Sequence, residues 1–338
     1  MNWPQTLEAV NGPFRPARIT GSADGMGRFG PTTRSLAEHG LVTPDLMCGL
    51  TLFLLAGQPK PAGSSDTTAD DNKASPIAGG VWVREQFTIH RPLGIDEVFT
   101  VAGESTGRFV RKGRRYGTTS SQTVNAEGRP VATNLTTGLL SYRAEPGAAD
   151  SSEGLALDET PTPQPDSGAA PTNPHLGELA AATVGQCFGG DEVTISLPMM
   201  AARDTANPDN PIHSDLEAAR AAGLERPIAG GSHVLAFALE PLLAAWGPES
   251  LSHGAHFDIR WKAPTHCDTV IATRATVTEA DNSQVVLNLE VTLRPDASTE
   301  QDQPPSRTGA GEPTTALVGT LTVPIAQQDP DPDSNDAR

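Results

Sequence analysis

The feature that most constrains this chain is that it writes one pattern twice. "HGLVTPDLMCGLTLFLL" (39–55) parallels "AGLERPIAGGSHVLAFAL" (222–239): Gly-Leu, a proline, a glycine, then an apolar run of helical length. "FTIHRPLGIDEVFTV" (87–101) parallels "FDIRWKAPTHCDTVIAT" (257–273): Phe-x-Ile, basic residues, a proline, an aspartate, then a β-rich run. The offsets are 183 and 170 positions. The two matches keep their order, and a long insertion at 57–76 with compensating loop changes accounts for the difference. Two copies of one unit follow from this, each opening with a helix and continuing in strands.

The strand signals are local. In the first block 80–92, 97–110, 114–128 and 129–143 alternate in polarity and favour β-branched and aromatic residues, as half-buried strands do. "NAEG" (125–128) reads as the turn of a hairpin. In the second block 255–264, 268–280, 283–295 and 315–325 read the same way, after helices at 214–223 and 232–246. The apolar stretch 43–57 is the matching helix of the first block. One long central helix followed by mostly antiparallel strands is an α+β layout. Two such units can set their sheets side by side and hide each other's edges. The expected organisation is a first unit at 1–143 with a flexible insertion at 57–79, a proline-rich linker at 144–175, a second unit at 176–326 and a flexible tail at 327–338. The small and polar stretch 294–315 interrupts the last two strands as a long hairpin insertion.

Composition removes several classes of function. A net charge of −17 argues against a nucleic-acid surface, which needs clustered cations. No apolar run approaches the ~18 residues of a membrane-spanning helix, and the N-terminus lacks the pattern of a signal peptide. Cys48, Cys187 and Cys267 are scattered and odd in number, so neither a disulfide framework nor a zinc spacing is present, and a reducing cytoplasm is the expected location.

The chemistry concentrates in "NPDNPIHSDLEAARAAGLERPIAGG" (207–231). Pro208 and Pro211 stiffen the loop that carries Asp209, Asn210 and His213. Ser214 or Asp215 can cap the helix that follows, with Glu217 at capping-box distance from Ser214 and Gly223 as its C-terminal stop. A second helix begins near Gly230, Gly231 and Ser232, where free N–H groups favour negative charge and glycine admits a ligand close to the backbone. A rigid histidine beside such donors suits chemistry on a carbonyl whose oxygen becomes negative. Three other assignments fit poorly. "HSD" (213–215) lacks a third metal ligand, so no metal is expected. "GGSHV" (230–234) fails the G-x-S-x-G pattern of a nucleophile elbow. The remaining histidines, with His233 nearest the glycines, read as structural. "GRFVRKGRR" (107–115), which holds Arg111 and Arg114, is either a dock for phosphates or a solvated turn.

Residues 209–231 resemble the signature of the MaoC-like, R-specific enoyl-CoA hydratases: Asp-x-Asn-Pro-(Ile/Leu)-His-x-Asp, an Ala-rich helix, Arg-Pro-Ile and His-Gly. The resemblance implies a hotdog fold, a sheet wrapped around one long helix, in tandem here. It implies reversible hydration of a trans-2-enoyl-CoA to an (R)-3-hydroxyacyl-CoA. An Asp and His213 would activate water, and the Gly231 N–H would polarise the thioester carbonyl. Asn210 and Pro211 would shape the loop, with Gly230 and Ser232 beside the substrate. No metal or redox cofactor is implied, since CoA belongs to the substrate; an acyl carrier protein could carry the same thioester, and a homodimer is compatible with the fold. Two positions depart from the pattern. The family's Asp stands five residues before the histidine, which is Pro208 here, leaving Asp209 or Asp204 for the role. Gly230 stands where the family carries His. The first block has no Asn-Pro-x-His; Met47, Cys48 and Gly49 stand opposite the two glycines, and this block resembles a non-catalytic half that widens the acyl cavity. The alternatives are a hotdog thioesterase or a non-catalytic acyl-thioester binder.

Overall fold

The computed structural model describes residues 6–13, 40–51, 81–94, 97–139, 150–154, 176–190, 192–204, 211–247, 249–294 and 313–325. The expected insertion at 57–79, the tail at 327–338 and the linker at 144–175, apart from 150–154, lie outside these residues. So does the 295–312 part of the expected hairpin insertion, whose flanking strands pair as expected.

The first half contains strand β1 (Thr6–Pro13), helix α1 (Pro44–Met47), β2 (Val81–Ile89), β3 (Val98–Arg111), β4 (Arg114–Asn125), β5 (Pro130–Leu139) and β6 (Ser151–Gly154). The second contains α2 (Leu176–Ala180), β7 (Cys187–Gly189), β8 (Val193–Ile195), α3 (Leu197–Asp204), a 3-10 turn (Pro211–His213), α4 (Leu216–Ala221), α5 (Gly231–Trp246), β9 (His256–Trp261), β10 (Thr269–Ala280), β11 (Gln284–Arg294) and β12 (Thr314–Pro324). All eight strands expected from alternation are present. Of the helix expected at 43–57, residues 44–47 and 50–51 are helical and 52–57 lie outside the described residues. Several stretches are unexpected, among them α2, β7, β8 and α3. Residues 6–13 form an edge strand against β3, and Ser151–Gly154, expected within the linker, pairs with β3 as well. Both are short strands completed by a distant partner, which local alternation does not reveal.

Every strand joins one twelve-stranded sheet, ordered β1-β3-β4-β5-β2-β9-β12-β11-β10-β7, with β6 beside β3 and β8 beside β10. The order is a mirrored pair of four-strand motifs. β3-β4-β5-β2 of the first half meets β9-β12-β11-β10 of the second, and the join is β2 against β9. Its register sets Phe87 opposite Phe257, the two residues that the 170-position repeat aligns. A local two-fold relation therefore passes through this pair. The two rings stack with centroids 4.3 Å apart and planes within 1°, and both are buried. On the other face of the same seam, Arg84 grips Asp258 with two hydrogen bonds, Nε to Oδ1 at 2.8 Å and Nη2 to Oδ2 at 2.7 Å. Thr88 Oγ1 and the His256 ring Nδ1 are 2.8 Å apart one step further on. Paired forks of this kind fix register as well as adding energy.

Helix α5 lies on the inner face and buries Val234, Leu235, Phe237, Leu239, Leu242, Leu243 and Trp246, and α1 packs against it. One hydrophobic cluster runs through both halves, from Val42 and Leu46 through Phe87 and Phe257 to Val323. The inner face of the second half is apolar, with Leu287, Leu289, Val291 and Leu321 turned toward α5. The first half is different: Glu85, Asn134, Thr136, Ser121 and Thr123 are all buried. Burial raises the Glu85 carboxyl from 4.5 to about 8, against the lowering effect of hydrogen bonds from Asn134 and Thr136. No helix among the described residues is long and apolar enough to cross a membrane.

Truncating Phe257 removes one ring of the central stack, so Phe257→Ala should cost about 3–5 kcal/mol in a denaturant titration. The buried carboxyl has a pH signature. Between 4.5 and about 8 the folded chain holds a proton on Glu85 that the unfolded chain has released. Its contribution to stability is therefore complete below 4.5 and lost as pH rises through about 8. Glu85→Gln should flatten that part of the profile: thermal melts at pH 6 and 9 should show a larger drop for the wild type than for the variant.

Candidate active site

The His213 loop is held by backbone pairing on both sides of a short extended segment. Ile228 N donates to Ile212 O at 3.3 Å, and His213 Nδ1 lies 2.7 Å from Ile228 O. On the opposite flank Ala229 N donates to Thr265 O at 2.8 Å and Cys267 N to Pro227 O at 2.9 Å. A carbonyl oxygen can only accept, so His213 Nδ1 carries a proton and donates it to Ile228 O. Under the loop, Ile212, Ala219, Leu224 and Ile228 form a small core of their own.

Between these segments runs α4, and its caps set its length. Asp215 is the N-cap, its Oδ1 accepting from Ala218 N at 2.7 Å. The expected capping box from Ser214 to Glu217 does not form, because the helix starts one residue later than that box requires. At the C-terminus Gly223, at φ +87°, turns the chain, with Gly223 N on Arg220 O and Leu224 N on Ala219 O. That is the double bond of a Schellman stop, and its usual apolar contact is Leu224 on Ala219. The chain is thereby returned to Ile228 beside the histidine.

Three residues after Ile228, α5 begins. Gly230 is its N-cap and Gly231 its first residue, so the N–H groups of Gly231 and Ser232 have no intrahelical acceptor. Glycine is demanded at 231 by its neighbours. A Cβ there would stand 2.9 Å from both Trp261 Cε2 and Trp82 Cε3. Trp261 Nε1 also donates to Gly231 O at 3.2 Å, and the two indoles lie 5.6 Å apart at 42°. At Gly230 a Cβ would meet nothing within 4 Å. Ser232 is half-buried on the first turn of α5, and Pro211 opens the 3-10 turn that holds His213.

The structure thus brings together His213, Pro211, Gly230, Gly231 and Ser232. Asp209 and Asn210 lie outside the described residues, and Asp204 is the last residue of α3. Arg111 and Arg114 are exposed at the β3–β4 hairpin, whose turn places Lys112 and Gly113 at positive φ. The register runs Trp82–Gly138–Gly117–Arg108 across β2, β5, β4 and β3, so this hairpin shares the sheet end that packs on Gly231.

Two features escaped the sequence. Trp82 and Trp261 hold the helix start from the two halves, and only the tertiary fold makes them neighbours. The other is the first half's counterpart of Gly231. The bond from Ala229 N to Thr265 O is repeated there by Val42 N to Leu93 O at 2.9 Å. Thr43 is then the N-cap and Pro44 the first helical residue. Pro44, not Met47, Cys48 or Gly49, is therefore the counterpart of Gly231, and proline has no N–H to offer.

Comparison with known proteins agrees with this geometry. Residues 202–298 match the model of the MaoC-like domain. A MaoC-like dehydratase superposes with a TM-score of 0.60 at 16% identity, over 96% of this chain and 98% of its own. One from Phytophthora capsici gives 0.59 at 15% identity, over 95% of each chain. A conserved hypothetical protein of Mycobacterium tuberculosis, described as a double hotdog, gives 0.56 at 14% identity, over 94% of this chain and 96% of its own. No curated protein matches by sequence. Residues 202–298 thus match the MaoC-like domain, and both halves of the chain together carry the double-hotdog fold.

Proposed function

We propose that this chain reversibly hydrates trans-2-enoyl-CoA thioesters to (R)-3-hydroxyacyl-CoA. The observation that carries the reading is the pairing of the His213 turn onto Ile228, which sets a fixed imidazole beside the N-terminus of α5. The MaoC-like match over the same residues supports it.

In the hydration direction a water sits between His213 and an aspartate, Asp209 or Asp204. His213 Nε2 takes one of its protons as the oxygen adds to C3 of the enoyl group. Electron density moves through C2 to the thioester oxygen, which receives hydrogen bonding from Gly231 N–H in a site partly shielded by two indoles. Return of a proton to C2 completes the 3-hydroxyacyl product, and the reverse sequence expels water. Donors aimed at the developing oxyanion stabilise the transition state more than the ground state. Asn210 and Pro211 shape the loop, and Gly230 and Ser232 border the carbonyl. On this reading Arg111 and Arg114 on the hairpin meet the CoA phosphates. The reaction needs no metal or redox cofactor. A cytoplasmic enzyme, as a monomer or a homodimer, fits this role. The first half, with Pro44 at the corresponding helix start, serves to enclose the acyl chain.

With crotonyl-CoA, loss of the enoyl-thioester absorbance without release of free thiol is the expected wild-type result. His213→Ala should lower kcat by about 10²–10⁴-fold. Of Asp209→Asn and Asp204→Asn, the one that falls with it identifies the partner. Thiol release would replace this reading by a thioesterase. Because Pro208 occupies the family's Asp position, a second reading is a non-catalytic acyl-thioester binder, for which the CoA ester binds and no variant changes the absorbance.

Gly231→Ala gives a separate check. Its methyl group must displace Trp82 or Trp261, so the tryptophan emission should shift, stability should fall by about 1–3 kcal/mol, and turnover should drop with it. An unchanged emission spectrum would contradict the packing described here.

A further inference from the structure

Within the first half, the inner face of β2 leads from the candidate site into a buried polar patch. The register of β2 against β5 slips between Trp82 and Arg84, so Trp82 opposite Gly138 and Glu85 opposite Thr136 share one face. Glu85 is therefore the next inward side chain after the tryptophan that packs on Gly231, about 10 Å along the strand. Phe87 and Ile89 follow it on that face, with Asn134, Ser121 and Thr123 on the neighbouring strands. Helix α1 and the residues after it close over the patch through Asn134 Nδ2 on Met47 O at 3.2 Å and through Thr51 Oγ1, 2.8 Å from Ser121 Oγ.

The two-fold relation provides an internal control. Through the matched registers, Glu85, Asn134, Ser121 and Thr123 correspond to Ala255, Leu321, Leu287 and Leu289. The second half fills these positions with methyl groups and its long helix. Polarity here is a property of one half only, so the fold does not require it.

A count of donors and acceptors shows what is left over. Glu85 Oε1 accepts from Asn134 Nδ2 at 2.9 Å and from Thr136 Oγ1 at 3.0 Å. Asn134 uses its second N–H on Met47 O. Glu85 Oε2, Asn134 Oδ1, Thr123 Oγ1 and Thr43 Oγ1 are buried with no hydrogen-bond partner among the described residues. Groups of this kind are costly to bury unpaired, and they mark the place of a further polar partner. Burial keeps the Glu85 carboxyl protonated at neutral pH, so Oε2 is a donor while Asn134 Oδ1 is an acceptor. One hydroxyl can accept from the first and donate to the second. A methylene can do neither.

We infer that this patch is a specificity site for an oxygenated acyl chain, in which a hydroxyl beyond the thioester accepts from Glu85 and donates to Asn134. The assignment rests on the acyl-thioester reading of the His213 site. On it, the first half selects by hydrogen bonding as well as by volume, and an unsubstituted chain leaves two buried groups unpaired.

The test compares trans-2-octenoyl-CoA and trans-2-decenoyl-CoA with their terminally hydroxylated counterparts, as ratios of kcat/KM and as dissociation constants from calorimetry. The wild type should favour at least one hydroxylated chain by tenfold or more. Asn134→Leu and Glu85→Leu should bring the ratio to one or below, and Glu85→Gln, which keeps an N–H donor, should retain most of the preference. A wild-type ratio below about threefold at both lengths overturns the inference without any variant, and identifies the patch as a water site. If no thioester is turned over, the hydration reading fails, and selectivity is read from binding alone: tighter binding of a hydroxylated chain upholds the specificity site, whereas equal binding or none overturns it.

Discussion

The β2–β9 seam is the constraint on which everything else rests. Among the described residues it is the junction between the two four-strand motifs in the sheet order, and it is bound on both faces. The Phe87–Phe257 stack holds the inner side, and the Arg84–Asp258 fork holds the outer side. A slip of one residue would turn each aromatic ring to the wrong face and separate the fork. The same register delivers Trp82 from one half and Trp261 from the other to the start of α5. The candidate site is thus made in the second half but braced by the first.

Much of this was legible in the sequence, for identifiable reasons. The eight strands showed because they alternate or are rich in β-branched and aromatic residues, even where, as in β2 and β5, both faces are buried. Gly223 and the apolar run of α5 showed because helix stops and buried helices carry local signals. The repeat showed because Phe87 and Phe257 sit on a two-fold relation and must keep their place. Other elements depend on distant partners. β1 and β6 are strands only because β3 is beside them, and the Trp82–Trp261 contact crosses the seam. The helix counterpart was misaligned for a physical reason: in the first half three steps separate the Gly-Leu turn from the N-cap, Gly40 to Thr43, and in the second seven separate Gly223 from Gly230. Similar residues around the turn outweighed the cap.

The halves have diverged in what they bury. Around α5 the interior is mostly apolar, with Leu235, Leu239, Leu242, Phe237 and Trp246 buried. Around Glu85 it is polar, and it holds an acid that burial pushes up to about 8 and whose second oxygen has no partner among the described residues. Such a patch lowers stability in a way that depends on pH, and it lies on the strand face that leads away from Gly231. On the hydratase reading the first half is free of the chemistry, and the polar interior is the kind of change that freedom allows.

Pro44 gives that divergence a stoichiometry. An imino nitrogen at the first turn of α1 leaves the first half with no amide proton where Gly231 has one, so the two-fold relation of the sheet does not extend to the carbonyl seat. On the hydratase reading, the chain holds one thioester per polypeptide, with the second potential seat closed by the backbone itself. No side-chain substitution in the first half restores it while the proline ring remains.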